Sequence, residues 1–198
     1  MRLTRPFFAR DTLSVAQDLL GRRLVRVLDG RRLSGAIVET EAYIGEQDEA
    51  SHASPGPTER NASMYAPAGH AYVYLIYGMY HCFNIVTERE GFPAAVLIRA
   101  LEPLEGLDAM RERRGPVGAR DVRKLTSGPG RLCQALAIDR RHDGADLCAP
   151  EASLFLEAGD PVTGVDVATS PRVNVRGDEA AVRAPWRFYV EGNPYVSR

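Results

Sequence analysis

Alternation of apolar and polar positions gives the chain two hairpins and a central strand. Leu24 to Leu28 reads as a strand, Asp29-Gly30 as a tight turn and Leu33 to Tyr43 as the returning strand. Tyr72-Val-Tyr-Leu-Ile-Tyr-Gly-Met-Tyr-His-Cys-Phe-Asn84 alternates, turns at Gly78 and resumes, which makes a second hairpin. Ala94 to Leu101 is a nearly continuous apolar run, the pattern of a buried central strand. Three helices are predicted. Asp11 caps the first, Thr12 to Leu20, with Leu13, Ala16, Leu19 and Leu20 on one face and Gly21 as the stop. Pro103 introduces the second, which runs to about Arg114 and ends at Gly115-Pro116. Ser127-Gly-Pro-Gly opens the third, Arg131 to Ala137, with Leu132, Ala135 and Leu136 turned inward. Ser153 to Leu156, Gly164 to Ala168 and Arg172 to Val175 read as short strands, and Trp186 to Val190 with Asn193-Pro-Tyr195 as a packed C-terminal segment.

Period-two geometry then assigns faces. In the tyrosine hairpin, Tyr72, Tyr74 and Ile76 share one surface and Val73, Leu75 and Tyr77 the other. Four of the chain's eight tyrosines fall here, and Tyr77, Met79 and Tyr80 gather at the turn, where solvent normally selects polar residues. Aromatic strands are usually core, but an apolar tip suits a wedge in a minor groove or a platform for unstacked bases. On the earlier strand, Val38, Thr40 and Ala42 are expected on one face and Ile37, Glu39, Glu41 and Tyr43 on the other. Two carboxylates beside a tyrosine are either a solvated acidic edge or a pair in which one is tuned toward a general base. Arg99 interrupts the central strand, and a buried guanidinium there needs an anion, for which the Glu39 to Tyr43 strand is the obvious source.

Length and charge narrow the class. At 198 residues and 44% hydrophobic content, one domain spanning residues 1–198 is expected. The net charge of -1 is unevenly spread: 36–51 holds five acidic residues and no basic ones, and 111–141 holds nine basic residues against three acidic, a patch suited to a polyanion or an ordinary solvated face. Three dispersed cysteines suggest neither a disulfide framework nor a metal site. The N-terminus lacks a signal-like apolar run and no stretch reaches membrane-spanning length, so a cytoplasmic protein is expected. His52 lies in the long polar connection from Ile44 to Gly69, with Asp48 and Glu49 nearby, but no second histidine stands at ligand spacing, and neither a metal nor a cofactor is expected. The Ser127 segment with Arg131 one turn in is either an ordinary cap or a phosphate contact.

Glu39-Thr-Glu-Ala-Tyr43, His52, Arg60-Asn61, the tyrosine hairpin, Asn84, Arg99-Ala-Leu-Glu-Pro-Leu-Glu-Gly106 and Ser127-Gly-Pro-Gly-Arg-Leu-Cys-Gln-Ala-Leu136 together resemble the alkyladenine (3-methyladenine) DNA glycosylase family, over nearly the whole chain. The resemblance implies an α+β domain with a curved, mainly antiparallel, open-barrel-like sheet flanked by helices, and a protruding hairpin that enters the DNA minor groove. It implies Glu41 as general base with Arg99 helping to hold the attacking water. Tyr43, His52, Tyr74 and Asn84 would form the pocket for the flipped base, with Asn84 obstructing the 2-amino group of guanine. Tyr77 would be the wedge, and Met79, Tyr80, Arg60, Ser127 and Arg131 further DNA contacts. Arg131 stands where the human family member has lysine. The start of the chain close to the domain suggests a bacterial form, and since insertion by one hairpin asks for no second subunit, a monomer acting on damaged duplex DNA at the nucleoid is expected. Lys124 and the N-terminus, the only primary amines, lie outside these motifs, so hydrolysis without strand cleavage is expected. A non-catalytic nucleic-acid binding module and a nucleoside hydrolase are the competing readings.

Overall fold

The computed structural model describes residues 1–160, 162 and 166–197, the side chains of 116–120 excepted. The fold is α+β, built on an antiparallel sheet that curls into a half-barrel. Its strands are β1 (Arg23–Leu28), β2 (Arg31–Ile44), β3 (Ala71–Ile76), β4 (Tyr80–Val86), β5 (Ala94–Glu105), β6 (Leu154–Glu157), β7 (Val167–Ser170) and β8 (Arg187–Val190). The main path runs β3-β4-β5-β2-β1-β6, and β8 joins β2 to β7. At 14 residues β2 is long enough to hold β5 along one edge and β1 then β8 along the other. Asp29 and Gly30, both at positive φ, close the predicted β1–β2 hairpin.

One face of the sheet carries the main core. Val15, Ala16, Leu19 and Leu20, from α2 (Thr12–Asp18) and the turn after it, pack there with Leu132, Cys133, Ala135 and Leu136, from α4 (Pro129–Ala135) and its end, against Ile37, Val73, Phe83, Ile85, Val96, Ile98 and Leu101. A small second cluster, Ala53, Met64, Tyr72, Val86 and Ala95, lies on the opposite face, flanked by Tyr65 and Tyr74. The predicted cap is present, with the Asp11 side chain accepting from the Ser14 amide at 2.8 Å.

Three expectations are corrected. Pro103 does not start a helix; it lies in β5 opposite Gly35, on a stretch whose other edge has no partner strand among the described residues, the edge position at which a sheet tolerates proline. The helix behind it begins at Leu107, after Gly106, and its first part ends where the stop was expected: Gly115 leaves the helical region at φ 64° and ψ -162°, and α3 (Leu107–Arg120) resumes beyond that kink. The segment 172–175 is a turn instead of a strand, with Asn174 at positive φ. Of the strand expected from Gly164, the first two residues lie outside the described residues, and β7 begins at Val167.

The third correction concerns the faces of β2. Ile37 lies in the main core with Ala42, so the two share a face despite their odd spacing. The register explains this: between Ile37↔Leu101 and Glu39↔Ala100 the β2 strand carries the extra residue Val38, and between Glu39↔Ala100 and Thr40↔Ile98 the β5 strand carries the extra residue Arg99. Paired bulges on facing strands reverse the side-chain parity of both and restore the register. Ile37 and Leu101 therefore stay in the core while Glu39, Glu41 and Arg99 turn to the other face.

Thr40 anchors the core side of this region. Its hydroxyl donates to the Ala16 carbonyl at 2.8 Å, a helix-end acceptor left open because the Leu20 amide turns to Gln17 instead. Thr40→Val keeps the shape and removes the hydroxyl donor to a buried carbonyl. It is expected to lower unfolding free energy by about 1–3 kcal/mol, read as a reduced urea midpoint at unchanged slope.

Candidate active site

The register lays out the site in rows. Tyr72, Asn84, Leu97, Glu41 and Arg187 are successive cross-strand partners over β3, β4, β5, β2 and β8, so one line across the sheet carries them on the face away from the main core. Tyr74 pairs with Cys82 in the next row toward the hairpin tip. Over this face opens a cavity of about 840 Å³, lined by residues that include Tyr43, His52, Tyr74, Asn84, Cys82 and Arg99, with Tyr77, Tyr80, Ser127 and Arg131 toward the hairpin and α4.

The loop after β2 supplies His52, and it is ordered by side chains in place of secondary structure. Asn61 is buried and donates to the carbonyls of His52 at 2.8 Å and Gly56 at 2.9 Å, while its oxygen accepts from the Thr58 amide. His52 Nδ1 lies 2.8 Å from the Tyr72 hydroxyl, and its ring meets Tyr74 edge-on with centroids 4.4 Å apart. Burial, aided by the nearby Arg60 charge, lowers the His52 imidazole below its ordinary value. Burial also pushes the Tyr72 and Tyr74 hydroxyls up, so this wall is neutral and aromatic. Asn84 is held by donating to the Tyr72 carbonyl at 2.9 Å.

Behind that wall lies a buried ionic network. Glu39 and Glu41 are both fully buried. Arg99 joins them, Nε to Glu39 Oε1 at 3.1 Å and Nη1 to Glu41 Oε2 at 3.2 Å. Glu39 also accepts from Arg187 Nε at 2.7 Å, the Ser197 amide at 2.7 Å and the Ser197 hydroxyl at 2.9 Å. Glu41 accepts from the Tyr43 hydroxyl at 2.8 Å and the Val173 amide at 2.7 Å. Burial works to lower the Arg99 guanidinium, but Glu41 and Glu39 outweigh it and raise it above its usual value. Burial and then Glu41 raise Tyr43 well above the usual phenol, so it stays a donor.

The carboxylate proposed as base does not itself surface the cavity. Its three partners Tyr43, Arg99 and Val173 do, and Glu41 stands one layer behind them. Two other expected contacts also lie off the lining. Arg60 is exposed, 5.9 Å from the Tyr74 ring, and Met79 lies beside a separate cavity of about 260 Å³ between the hairpin and α4. Tyr77 is 78% exposed at positive φ, with Gly78 also at positive φ, in a turn closed by the Met79 amide to the Ile76 carbonyl. Gly130 lets Tyr80 lie against α4, since a Cβ there would stand 3.0–3.1 Å from three Tyr80 atoms.

The 111–141 segment is less of an open patch than its composition implies. Arg111, Arg123 and Arg141 are paired with Asp108, Asp121 and Asp139, and the Arg120 side chain lies outside the described residues. Arg114 and Arg131 are the members that line the cavity. Sequence reading missed Arg172, whose guanidinium is buried against Asp48, and the roles of Arg187 and Ser197. A lone arginine or serine in an otherwise ordinary stretch gave no signal for any of them. Asp48, considered beside His52 as a metal ligand, is committed to Arg172.

A protruding hairpin with an exposed ring at its tip stands beside an aromatic cavity backed by buried carboxylates and arginines, the form of a ligand-binding cleft. A family model for methylpurine-DNA glycosylase matches residues 6–194. Among relatives named "Putative 3-methyladenine DNA glycosylase", that of Methanocella arvoryzae is 52% identical over 197 residues, covering 99% of this chain and 96% of its own. Those of Alkaliphilus oremlandii and Bacillus cytotoxicus are 48% and 45% identical with both chains covered in full. The chain belongs to the methylpurine-DNA glycosylase family and is a DNA glycosylase, a hydrolase of DNA repair. No helix among the described residues is long and apolar enough to cross a membrane.

The lowered His52 value fixes a pH dependence. Its neutral form is favoured by folding, so the stability it contributes is complete above the ordinary imidazole value of 6.5 and is lost as pH falls through the lower folded value. Urea midpoints of the wild type and His52→Phe, compared at pH 7.5 and pH 5, are expected to shift against the wild type at the acid end.

Proposed function

We propose that this protein acts as a monomer on chromosomal duplex DNA in the bacterial cytoplasm, flips out 3-methyladenine and related purines (7-methylguanine, hypoxanthine, ethenoadenine), and hydrolyses the N-glycosidic bond. The observation that carries this reading is the shared wall: Tyr43 and Arg99 both line the aromatic cavity and both hydrogen-bond the buried Glu41 carboxylate. A base seated against Tyr43, His52 and Tyr74 would bring its sugar to the layer in front of that carboxylate.

The chemistry follows from charge. A purine methylated at N3 or N7 is cationic in DNA and already a good leaving group, so for these lesions one carboxylate acting on a water suffices where sugar hydrolases use two; the neutral hypoxanthine and ethenoadenine must also take up a proton as they leave. Glu41 takes the proton from that water, Arg99 helps to orient it, and the carboxylate also stabilises the oxocarbenium-like sugar as the bond to the base breaks. Hydrogen bonds in a resting catalytic site commonly realign when substrate binds, which accommodates the position of Glu41 one layer back. Neutral aromatic faces attract a cationic base, at roughly 1–3 kcal/mol of stacking per base, which offsets an unstacking cost of a few kcal/mol that is lowest at damaged pairs. Asn84, tethered to the Tyr72 carbonyl, is suited to reject the 2-amino group of guanine. Tyr77, with Met79 and Tyr80 beside it, fills the vacated position in the duplex. Arg60, Ser127 and Arg131 contact the backbone; Arg131 Nη1 already donates to the Ser127 carbonyl and hydroxyl at 3.0 and 3.1 Å, which makes the two a single unit. Neither the N-terminus nor Lys124 lines the cavity, which supports hydrolysis without a Schiff base.

The testing experiment is an excision assay over the four lesions in duplex DNA, with Glu41→Gln as control. Wild type is expected to leave an intact strand with an abasic site, and Glu41→Gln to bind the same duplexes while its rate falls by on the order of 10²–10⁴. Wild-type excision by Glu41→Gln removes the general-base assignment, and strand cleavage refutes hydrolysis alone. For the hairpin, Tyr77→Ala is expected to weaken lesion-duplex binding and slow excision while leaving the melting temperature unchanged, since the ring is exposed; unchanged affinity counts against the wedge.

A further inference from the structure

The cavity wall depends on a residue that does not reach the cavity. Arg172 and Asp48 are wholly buried as side chains and paired in a fork, Nη1 to Oδ2 at 2.6 Å and Nη2 to Oδ1 at 2.8 Å. The same guanidinium donates to the Ala42 carbonyl at 3.0 Å and the Ala181 carbonyl at 2.9 Å. Asp48 in turn accepts from the amides of Ile44 at 3.2 Å and Ala50 at 3.1 Å. One ion pair therefore ties together the end of β2, the loop that carries His52, and α5 (Glu179–Arg183).

Two features connect this pair to the chemistry. The Arg172 guanidinium carbon lies 4.7 Å from the centre of the Tyr43 ring and 4.9 Å from that of Trp186, so it packs against the ring whose hydroxyl donates to Glu41 Oε2. The next residue in the chain, Val173, donates its amide to Glu41 Oε1. Both oxygens of Glu41 are thus met by groups that Arg172 fixes.

We infer that Arg172 and Asp48 are positioning residues for base removal: through the Tyr43 ring and the Val173 amide they set the direction in which Glu41 presents its carboxylate to the attacking water. The inference rests on the reading of Glu41 as general base. It assigns no contact with substrate to either residue. A side chain that governs orientation acts on the chemical step more than on binding, because small misplacements of a reacting group are expensive in rate.

The test uses the full chain and three readouts: single-turnover excision of 7-methylguanine from a duplex, affinity for the same duplex carrying an abasic-site analogue, and thermal melting. Arg172→Lys keeps the charge and loses the fork; Asp48→Asn keeps the volume and loses the charge; Val173→Pro deletes the amide donor and leaves the pair intact. For each folded variant, excision is expected to fall by on the order of 10²-fold while the analogue is bound as by the wild type. Combined with Glu41→Gln, each is expected to add no further loss, since the group it positions is already gone. Wild-type excision by the folded variants, losses of rate and affinity in step with the folded fraction, or full additivity with Glu41→Gln overturns the inference. If the Glu41→Gln single variant itself excises normally, the general-base reading fails instead, and the two failures are told apart by that one control.

Discussion

Four charges under one sheet face constrain everything around them. Glu39 and Glu41 cannot be buried without cations, and Arg99 and Arg187 are placed so that every member of the set has an opposite charge within 3.2 Å. Stranding one member of such a set by removing its partner costs about 3–5 kcal/mol. The chain therefore brings three strands and the segment around Ser197 to one place, each contributing a charge or a donor. A network of this kind adds little net stability compared with an apolar core, and its presence is more readily understood through what it holds in position at the cavity wall.

The sheet accommodates the network through two bulges that face each other across β2 and β5. Regular alternation would send Ile37 toward the carboxylates and Leu101 toward the polar face. The extra residues Val38 and Arg99 reverse parity on both strands at once, so the core remains continuous while the charged groups share the other side. Bulges next to active sites commonly re-aim a side chain in this way, and here the residue re-aimed on β5 is the arginine itself.

The tyrosine hairpin divides its labour by the same period. Val73, Phe83 and Ile85 root it in the main core, and Tyr72, Tyr74 and Asn84 build the cavity wall from the opposite face. Its tip extends past the core, which is why Tyr77, Met79 and Leu75 are exposed although the sequence there is apolar. An exposed apolar tip on a molecule with its own full core marks a candidate contact surface, and it is the one proposed above to meet DNA.

Local patterns determined a good deal. The capped helix at Asp11, the Asp29-Gly30 turn, the tyrosine hairpin and the apolar β5 run were all legible because each depends on a few neighbouring residues, and a buried Arg99 demanded a carboxylate on general grounds. The motifs together also pointed to the family. Tertiary structure alone decided that Ile37 and Glu41 lie on opposite faces, that Pro103 stays in a strand, that Glu41 stands behind the cavity lining, and that Arg172 turns inward to Asp48. The physical reason is common to all four. A bulge, an unpaired strand edge and a buried ion pair are fixed by which distant segment lies alongside, and in the chain those partners stand up to 132 residues apart.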